Sequence, residues 1–523
     1  MSKFYITTPI FYVNAPPHLG HAYADIIADI IARYHRLRGD ETFFLTGTDE
    51  HGAKVARAAE KAGVEIPKFV ESVRENFRKL ASVLNISNDD FIFTADEERH
   101  FPGAIKLWKK LEEAGDIYKG VYEGMYCVGH EAFITEKDLE DGKCPDHNEA
   151  PQIIKEENYF FRLSKYTEPL KKAVEFGELA ILPKKRAHEL SSLLEEGLRD
   201  ISFSRPSKDI SWGIPVPGDQ TQTMYVWCDA LANYISALGY GREDESKFQK
   251  FWPADVHLVG KDILRFHTAF WPAMLLSAGL PLPKTILVHG LVRVGGRKMS
   301  KTLGNVVDPF EIVKNYGADA FRYYLSREVG LFEDGEFTEE KFAAAYEGNL
   351  VKGVGNYVRR VSTMIESYFA GSLGEIGEER VAAVPLRKGS LDFLNIEKKS
   401  DSEIEFFSIP YFVNEILWKK YVEAFASYEV NRAADIAFGF LKELDSYVDD
   451  YKPFKLIETD KEKAEAVLWS LSYGALALAK MLYPFMPATS EEILKIYGVE
   501  SFDQNSWKTF KVSKHAQLFP KKE

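Results

Sequence analysis

The sequence predicts an α/β protein in which a parallel sheet is divided by an insertion and followed by an all-α C-terminal bundle. Three observations predict it. Near the N-terminus a β-branched and aromatic run, Phe4–Thr8, gives way to prolines and then to apolar residues at helical spacing. Strand then helix, repeated, implies parallel strands joined by right-handed crossovers. At about Asp116 this rhythm breaks, and it resumes after Pro217. Beyond about Phe342 the periodicity is helical, with long stretches near 343–368, 410–450 and 462–496 and a less regular polar segment over 371–408. That pattern suits a helical bundle.

The first strand ends at Pro9, and Pro16-Pro17 fix the backbone ahead of a helix carrying Ala22, Ile26, Ile27, Ile30, Ile31 and Tyr34, with Gly39 as its C-cap. His18-Leu19-Gly20-His21 sits where strand hands over to helix. There free N–H groups and the helix dipole favour phosphate, and Gly20 lets a ligand approach the backbone. Two helix-start histidines packed around a glycine satisfy the same pattern. Glu41–Thr46 reads as a second strand running into a polar turn, Gly47-Thr-Asp49-Glu-His-Gly52. Ligands of parallel sheets collect at the carboxyl ends of the strands, so both turns should face one crevice. A carboxylate at Asp49 can hold an ammonium group; a turn-forming aspartate fits equally.

After the break, Val256–Val259 is a strand ending in Gly260-Lys261-Asp262, and an apolar helix from Ile263 to Ala278 carries His267. Asp262 is placed to accept from ribose hydroxyls, which makes the sheet Rossmann-like. The strand Thr285–Val288 precedes Arg297-Lys298-Met299-Ser300-Lys301-Thr302, a glycine-flanked segment whose lysines suit a clamp over a polyphosphate.

Within the insertion, Cys127-Val-Gly-His130 and Cys144-Pro-Asp-His147 form two CxxH pairs. The spacing fits a tetrahedral zinc site, and four protein ligands leave no open position, so the metal would be structural. Two small buried cysteines beside surface histidines are the plain alternative. The remaining bounds come from size and charge. At 523 residues the chain should hold two to four domains, and three cysteines argue for a reducing compartment. The absence of an early signal peptide or a long uncharged apolar run points to a cytoplasmic protein with no membrane partner. A net charge of −13 means that a nucleic-acid partner must be met by local basic patches. Lys352, Arg359 and Arg360 offer one such patch; a solvated helix face would look the same.

The pairing of HLGH with KMSKT resembles the class I aminoacyl-tRNA synthetases. The TTPIFYVN entry, GTDEHG, the zinc knuckle, YVWCDA and GKDI with its downstream Phe-His extend the resemblance over nearly the whole chain, and place it with the methionine-specific branch. The insertion, about a hundred residues long, is too short for the editing domain of the isoleucine, leucine and valine enzymes. The resemblance implies these domains: 1–115 and 218–292, the two catalytic halves; 116–217, an inserted connective domain with the zinc knuckle; 293–342, the KMSKT loop and connecting segment; and 343–523, a helical anticodon-binding domain.

It also implies roles. His18, Gly20, His21, Gly260, Asp262, Lys298 and Lys301 would bind ATP, with the two histidines and two lysines catalytic. Ile10, Tyr12, Asp49, Trp227, Ala230, Leu231, Tyr234, Ile263 and His267 would bind methionine, with Asp49 taking the α-ammonium. Asn356, Arg360 and Phe454 would read the CAU anticodon, Phe454 standing where the family carries tryptophan. His130 and His147 stand at zinc-ligand positions that are often cysteine. Zinc at Cys127, His130, Cys144 and His147, and magnesium with ATP, are the expected cofactors. The expected reaction joins methionine to initiator and elongator tRNA through methionyl-adenylate. No further module follows the bundle before Glu523, so a monomer is expected. A scaffolding protein on a degenerate frame is the rival reading; the intact histidines and lysines argue against it.

Overall fold

Strand Lys3–Thr7 is buried from Phe4 onward and stands in the middle of a seven-stranded sheet. It pairs in parallel with Glu41–Asp49 on one side and with Val256–Gly260 on the other. The computed structural model describes residues 2–127, 132–134, 136, 139–145, 148–298, 307–386, 391–394 and 407–522. They form two compact units, 1–82 with 86–291 and 83–85 with 292–523.

In the first unit the strand order is 11–12, 41–49, 3–7, 256–260, 285–289 and 180–182, with 90–93 also paired to 41–49. Every one of these pairings is parallel. Near-continuous apolar strands such as Thr285–His289, buried along its length, are what a sheet covered on both faces requires. The helix Leu19–Leu37 forms the crossover between strands 3–7 and 41–49; Gly39 lies just past its end at φ +85°, a left-handed position that suits glycine.

The strand predicted over 41–46 runs on to Asp49, so Gly47–Asp49 is extended rather than turned. The cause is the neighbouring strand Asp90–Phe93, which holds Leu45 to Thr48 in register. At Gly47 a Cβ would lie 2.0 Å from the Ile92 carbonyl oxygen, so only glycine admits that approach. The predicted helix 263–278 is also more varied. It opens as a 3-10 turn, Lys261–Ile263, continues through a π turn, Phe266–Phe270, and becomes α-helical at Trp271–Ser277. Pro272 lacks the N–H that a regular helix would use there.

Residues 116–217 are largely antiparallel. Ile117–Cys127 and Gln152–Phe161 form a long hairpin flanked by Ala132–Ile134 and Ile201–Ser202. Yet Ala180–Leu182, from the same segment, pairs with Thr285–Leu287 as the edge strand of the parallel sheet. The insertion therefore helps to build the sheet that it interrupts.

The second unit begins with a small sheet of Val292–Val294, Arg297–Lys298 and Gly335–Phe337. The rest of the described residues are mostly helical, with one short antiparallel pair, Ser372–Leu373 and Phe510–Lys511, breaking the all-helical pattern expected after 343. Helix Lys461–Leu482 is buried on nearly every face and forms the bundle's core, with Asn356–Phe369, Val430–Tyr451 and Pro487–Ile496 around it. Arg322, wholly buried, donates to the carbonyl oxygens of Phe485 (3.0 Å), Pro484 (2.7 Å) and Leu84 (3.2 Å). It thereby satisfies acceptors that a helix end leaves open. Among the described residues no helix is long and apolar enough to cross a membrane.

Candidate active site

His18 is the N-cap of helix Leu19–Leu37, and the two histidines of HLGH cap it reciprocally. The Gly20 N–H donates to His18 Nδ1 and the His18 N–H donates to His21 Nδ1, each over 3.1 Å. The rings stack with centroids 3.9 Å apart. With Nδ1 accepting, the neutral imidazole of each carries its proton on Nε2. Burial, with the neighbouring His18, pushes His21 well below the ordinary histidine pKa, so at neutral pH it is an uncharged N–H donor. The positive end of the helix dipole adds to that donor pair.

Beside this helix mouth lies the turn predicted to meet ribose. Gly260 pairs with His289 at the carboxyl ends of adjacent strands. A Cβ on Gly260 would stand 2.5 Å from Asp262 Oδ1, so glycine lets that exposed carboxylate fold back over the strand end. The His289 ring meets Tyr23 of the first helix edge-on at 5.4 Å, which ties the two turns to one crevice. His289 was missed in the sequence; its only signal was its place at the end of an apolar strand.

The residues predicted to line a side-chain pocket fall on neighbouring elements of the same unit. Tyr12 and Asp49 are register partners on adjacent strands. Ala230, Leu231 and Tyr234 are buried, while Ile10, Tyr12, Trp227 and Ile263 are partly buried against the same core. His267 lies on the π turn, and its Nδ1 donates to the Ile263 carbonyl over 3.0 Å. Nε2 must then accept, so Tyr234 donates its hydroxyl hydrogen across 2.8 Å. Burial lowers His267 from 6.5 to about 4, which keeps it neutral. Trp227 stacks on Phe266 at 3.7 Å and stands perpendicular to the His267 ring at 6.3 Å. From sequence, Phe266 enters only as half of the Phe-His pair, with no role of its own.

The profile of the class I tRNA synthetases (M) matches residues 4–153 and 136–362, and that of the anticodon-binding domain of tRNA ligases matches 415–523. The methionine–tRNA ligase of Thermotoga maritima is 43% identical over 503 residues, 95% of this chain and 76% of that one. This chain belongs to the class I methionyl-tRNA synthetase family. The Rickettsia bellii ligase is 40% identical over 96% of this chain and 93% of its own. The Mycobacterium tuberculosis methionyl-tRNA synthetase in complex with methionyl-adenylate superposes with a TM-score of 0.89 at 33% identity, covering 99% of this chain and 100% of that one. Its apo form gives 0.83 at 30% identity, covering 100% and 99%.

The synthetase sheet holds one group that sequence reasoning passed over. Asp229, inside the YVWCDA motif and 1% exposed, accepts from His51 Nδ1 at 2.6 Å and from His100 Nε2 at 2.8 Å. Burial alone would raise its pKa, but the neighbouring His51 and the hydrogen bonds from both imidazoles hold it down at about 2. No spacing rule could have joined residues so far apart in sequence.

Cys127 ends one strand of the long hairpin, and Cys144 follows a tight turn in which Glu140 bridges Lys143 and Gly142 takes φ +74°. Both cysteines are buried. Buried cysteine sulfurs are soft ligands of the kind that structural zinc takes. His130 and His147 lie outside the described residues, as do Lys301 and the loop 299–306. Lys298 ends the short strand Arg297–Lys298.

In the second unit, Asn356 opens the helix Asn356–Phe369, and Arg360 follows one turn later on the same face. Asn356 borders a cavity of about 300 Å³ with Lys352, Arg359 and Gln517. Arg360 reaches Asp449 at 2.9 Å near the end of helix Val430–Tyr451, and Phe454, 38% exposed, sits on the short helix that follows.

Proposed function

We propose that this ligase activates L-methionine with ATP in the crevice of the parallel sheet, using the residues just described, and then transfers the methionyl group to the 3′ end of tRNA-Met. The observation that carries the reading is the stacked pair His18 and His21 at a helix mouth, with both Nδ1 atoms held by backbone N–H groups. The methionine carboxylate attacks the α-phosphorus, and pyrophosphate leaves; no covalent enzyme intermediate is needed. Catalysis is then positioning plus charge stabilisation. The Nε2–H groups of His18 and His21 hold phosphate oxygens, Gly20 gives adenine room, and Gly260 and Asp262 receive the ribose. Lys298 and Lys301 close over the leaving pyrophosphate. Magnesium travels with ATP and shields its charge.

Asp49 takes the α-ammonium group, beside backbone from Ile10. The thioether lies among Tyr12, Trp227, Ala230, Leu231, Tyr234, Ile263 and His267. A sulfur gains roughly 0.3–1.5 kcal/mol against an aromatic ring, whereas one methylene discriminates by only about 1–3 kcal/mol, so several rings are needed. Zinc held by Cys127, His130, Cys144 and His147 would fix the hairpin tip. Asn356, Arg360 and Phe454 read the anticodon, phenylalanine stacking on a splayed base without the indole N–H. The ligase serves initiator and elongator tRNA and works as a cytoplasmic monomer.

Methionine-dependent ATP–pyrophosphate exchange tests this. Lys301→Ala should slow exchange by about 10²–10³-fold, the usual cost of one transition-state donor, ~2.7–4 kcal/mol. An unaltered rate would remove the lysine clamp from the mechanism.

A further inference from the structure

The buried charge on Asp229 is not explained by packing. An ionised carboxylate at 1% exposure costs several kcal/mol to desolvate, and apolar residues of similar volume would hold a core at least as well. What the charge does supply is direction. One carboxylate oxygen receives His51 and the other receives His100, whose Nδ1 bonds Ser236 Oγ at 2.8 Å. His51 in turn belongs to the segment that carries Asp49. Its N–H points at Asp49 Oδ1 across 3.4 Å, and its ring is braced edge-on by Trp212 at 5.6 Å and by Phe101 at 5.9 Å. Trp212 closes the same segment by donating from Nε1 to the Glu50 carbonyl over 2.6 Å. On the other side, Asp229 lies on the short helix Val226–Leu231, directly before the pocket residues Ala230 and Leu231.

We propose that Asp229 is a positioning residue for methionine: through His51 it locks the Asp49 segment to the helix that forms the pocket wall, while His100 holds the other carboxylate oxygen in place. The two halves of the amino-acid site, ammonium and side chain, are thus held at one spacing by a single carboxylate. The phosphate-facing histidines lie at the start of a different helix, Leu19–Leu37. This rests on Asp49 and the Trp227–His267 pocket being the methionine site.

The test is ATP–pyrophosphate exchange with the full chain, varying methionine and ATP separately, for Asp229→Asn and Asp49→Ala. Asp229→Asn should raise the KM for methionine at least about tenfold while the KM for ATP and kcat stay within about threefold. A methionine KM within twofold of wild type, or equal losses for both substrates, overturns the proposal. If Asp49→Ala leaves the methionine KM unchanged, the site itself is misassigned; if it raises that KM and Asp229→Asn does not, only the positioning role fails. Should Asp229→Asn not fold, His51→Gln keeps an amide donor toward Asp229 and His51→Ala does not. The glutamine variant should stay within about fivefold of the wild-type methionine KM and the alanine variant should not; equal values overturn the proposal.

Discussion

Tyr234 gives its hydroxyl hydrogen to Nε2 of His267 across 2.8 Å, matching the one protonation that the other side of the buried imidazole allows. The Ile263 carbonyl can only accept, so Nδ1 must be the donor and Nε2 the acceptor. Tyr234→Phe leaves that buried acceptor without its donor, a loss of about 1–3 kcal/mol. Thermal denaturation and methionine KM should both worsen. A variant indistinguishable in both would mean that the bond contributes nothing.

Trp227 lies flat on Phe266 at 3.7 Å, so its ring is held in place by the helix that also carries His267. Trp227→Ala should weaken methionine by about 2 kcal/mol, roughly thirtyfold in KM, the size expected for a buried aromatic anchor. The KM for ATP should hardly change. An unaltered methionine KM would take Trp227 out of the pocket.

Asp25 makes stability depend on pH in an unusual direction. Burial raises its pKa from 3.8 to about 7, opposed only in part by the hydroxyl of Thr46 at 3.0 Å. The folded state holds this proton more tightly than the unfolded chain does, so its contribution is complete below about pH 4 and is lost as pH rises to about 7. Asp25→Asn, which cannot ionise, should gain on wild type as pH climbs through that window. Parallel melting curves at pH 4.5 and pH 8 would refute the shifted carboxyl.

Arg322 supplies three carbonyl oxygens from full burial. Arg322→Met removes all three bonds and should cost about 3–5 kcal/mol, comparable with breaking a buried ion pair. Urea denaturation of the full chain measures it, and a loss under 1 kcal/mol would show the carbonyls to be satisfied otherwise.

At the hairpin tip, metal analysis of the purified protein should find one zinc per chain. Removing it should increase proteolysis between about 127 and 149 while methionine activation persists, because the site has no open position. Zinc retained after replacing Cys127, His130, Cys144 and His147 together would show that it binds elsewhere.

Much of this was readable from the chain because its chemistry is local. HLGH and GKDI sit at strand ends, and the Trp227–Tyr234 stretch runs through two consecutive short helices, where short-range spacing sets geometry. The edge strand Ala180–Leu182 was not readable, since three residues carry no periodicity and their partner lies about a hundred positions away. Gly47–Asp49 was read as turn because its residues are polar; the pairing with Asp90–Phe93 overrode that preference. The π turn at His267 and the Asp229 group arise from tertiary packing, to which no window of sequence is sensitive.

The strand Lys3–Thr7 has a consequence for how the protein is made. Thr7 bonds His257, 250 residues further on, so a strand made early waits for one of the last in its unit before the sheet can close. During synthesis its apolar edges stay open, and closure of so distant a pair is intrinsically slow. The nascent chain should therefore depend on holdase protection until about residue 289 has emerged, and hurried translation should reduce soluble yield more than any surface substitution does.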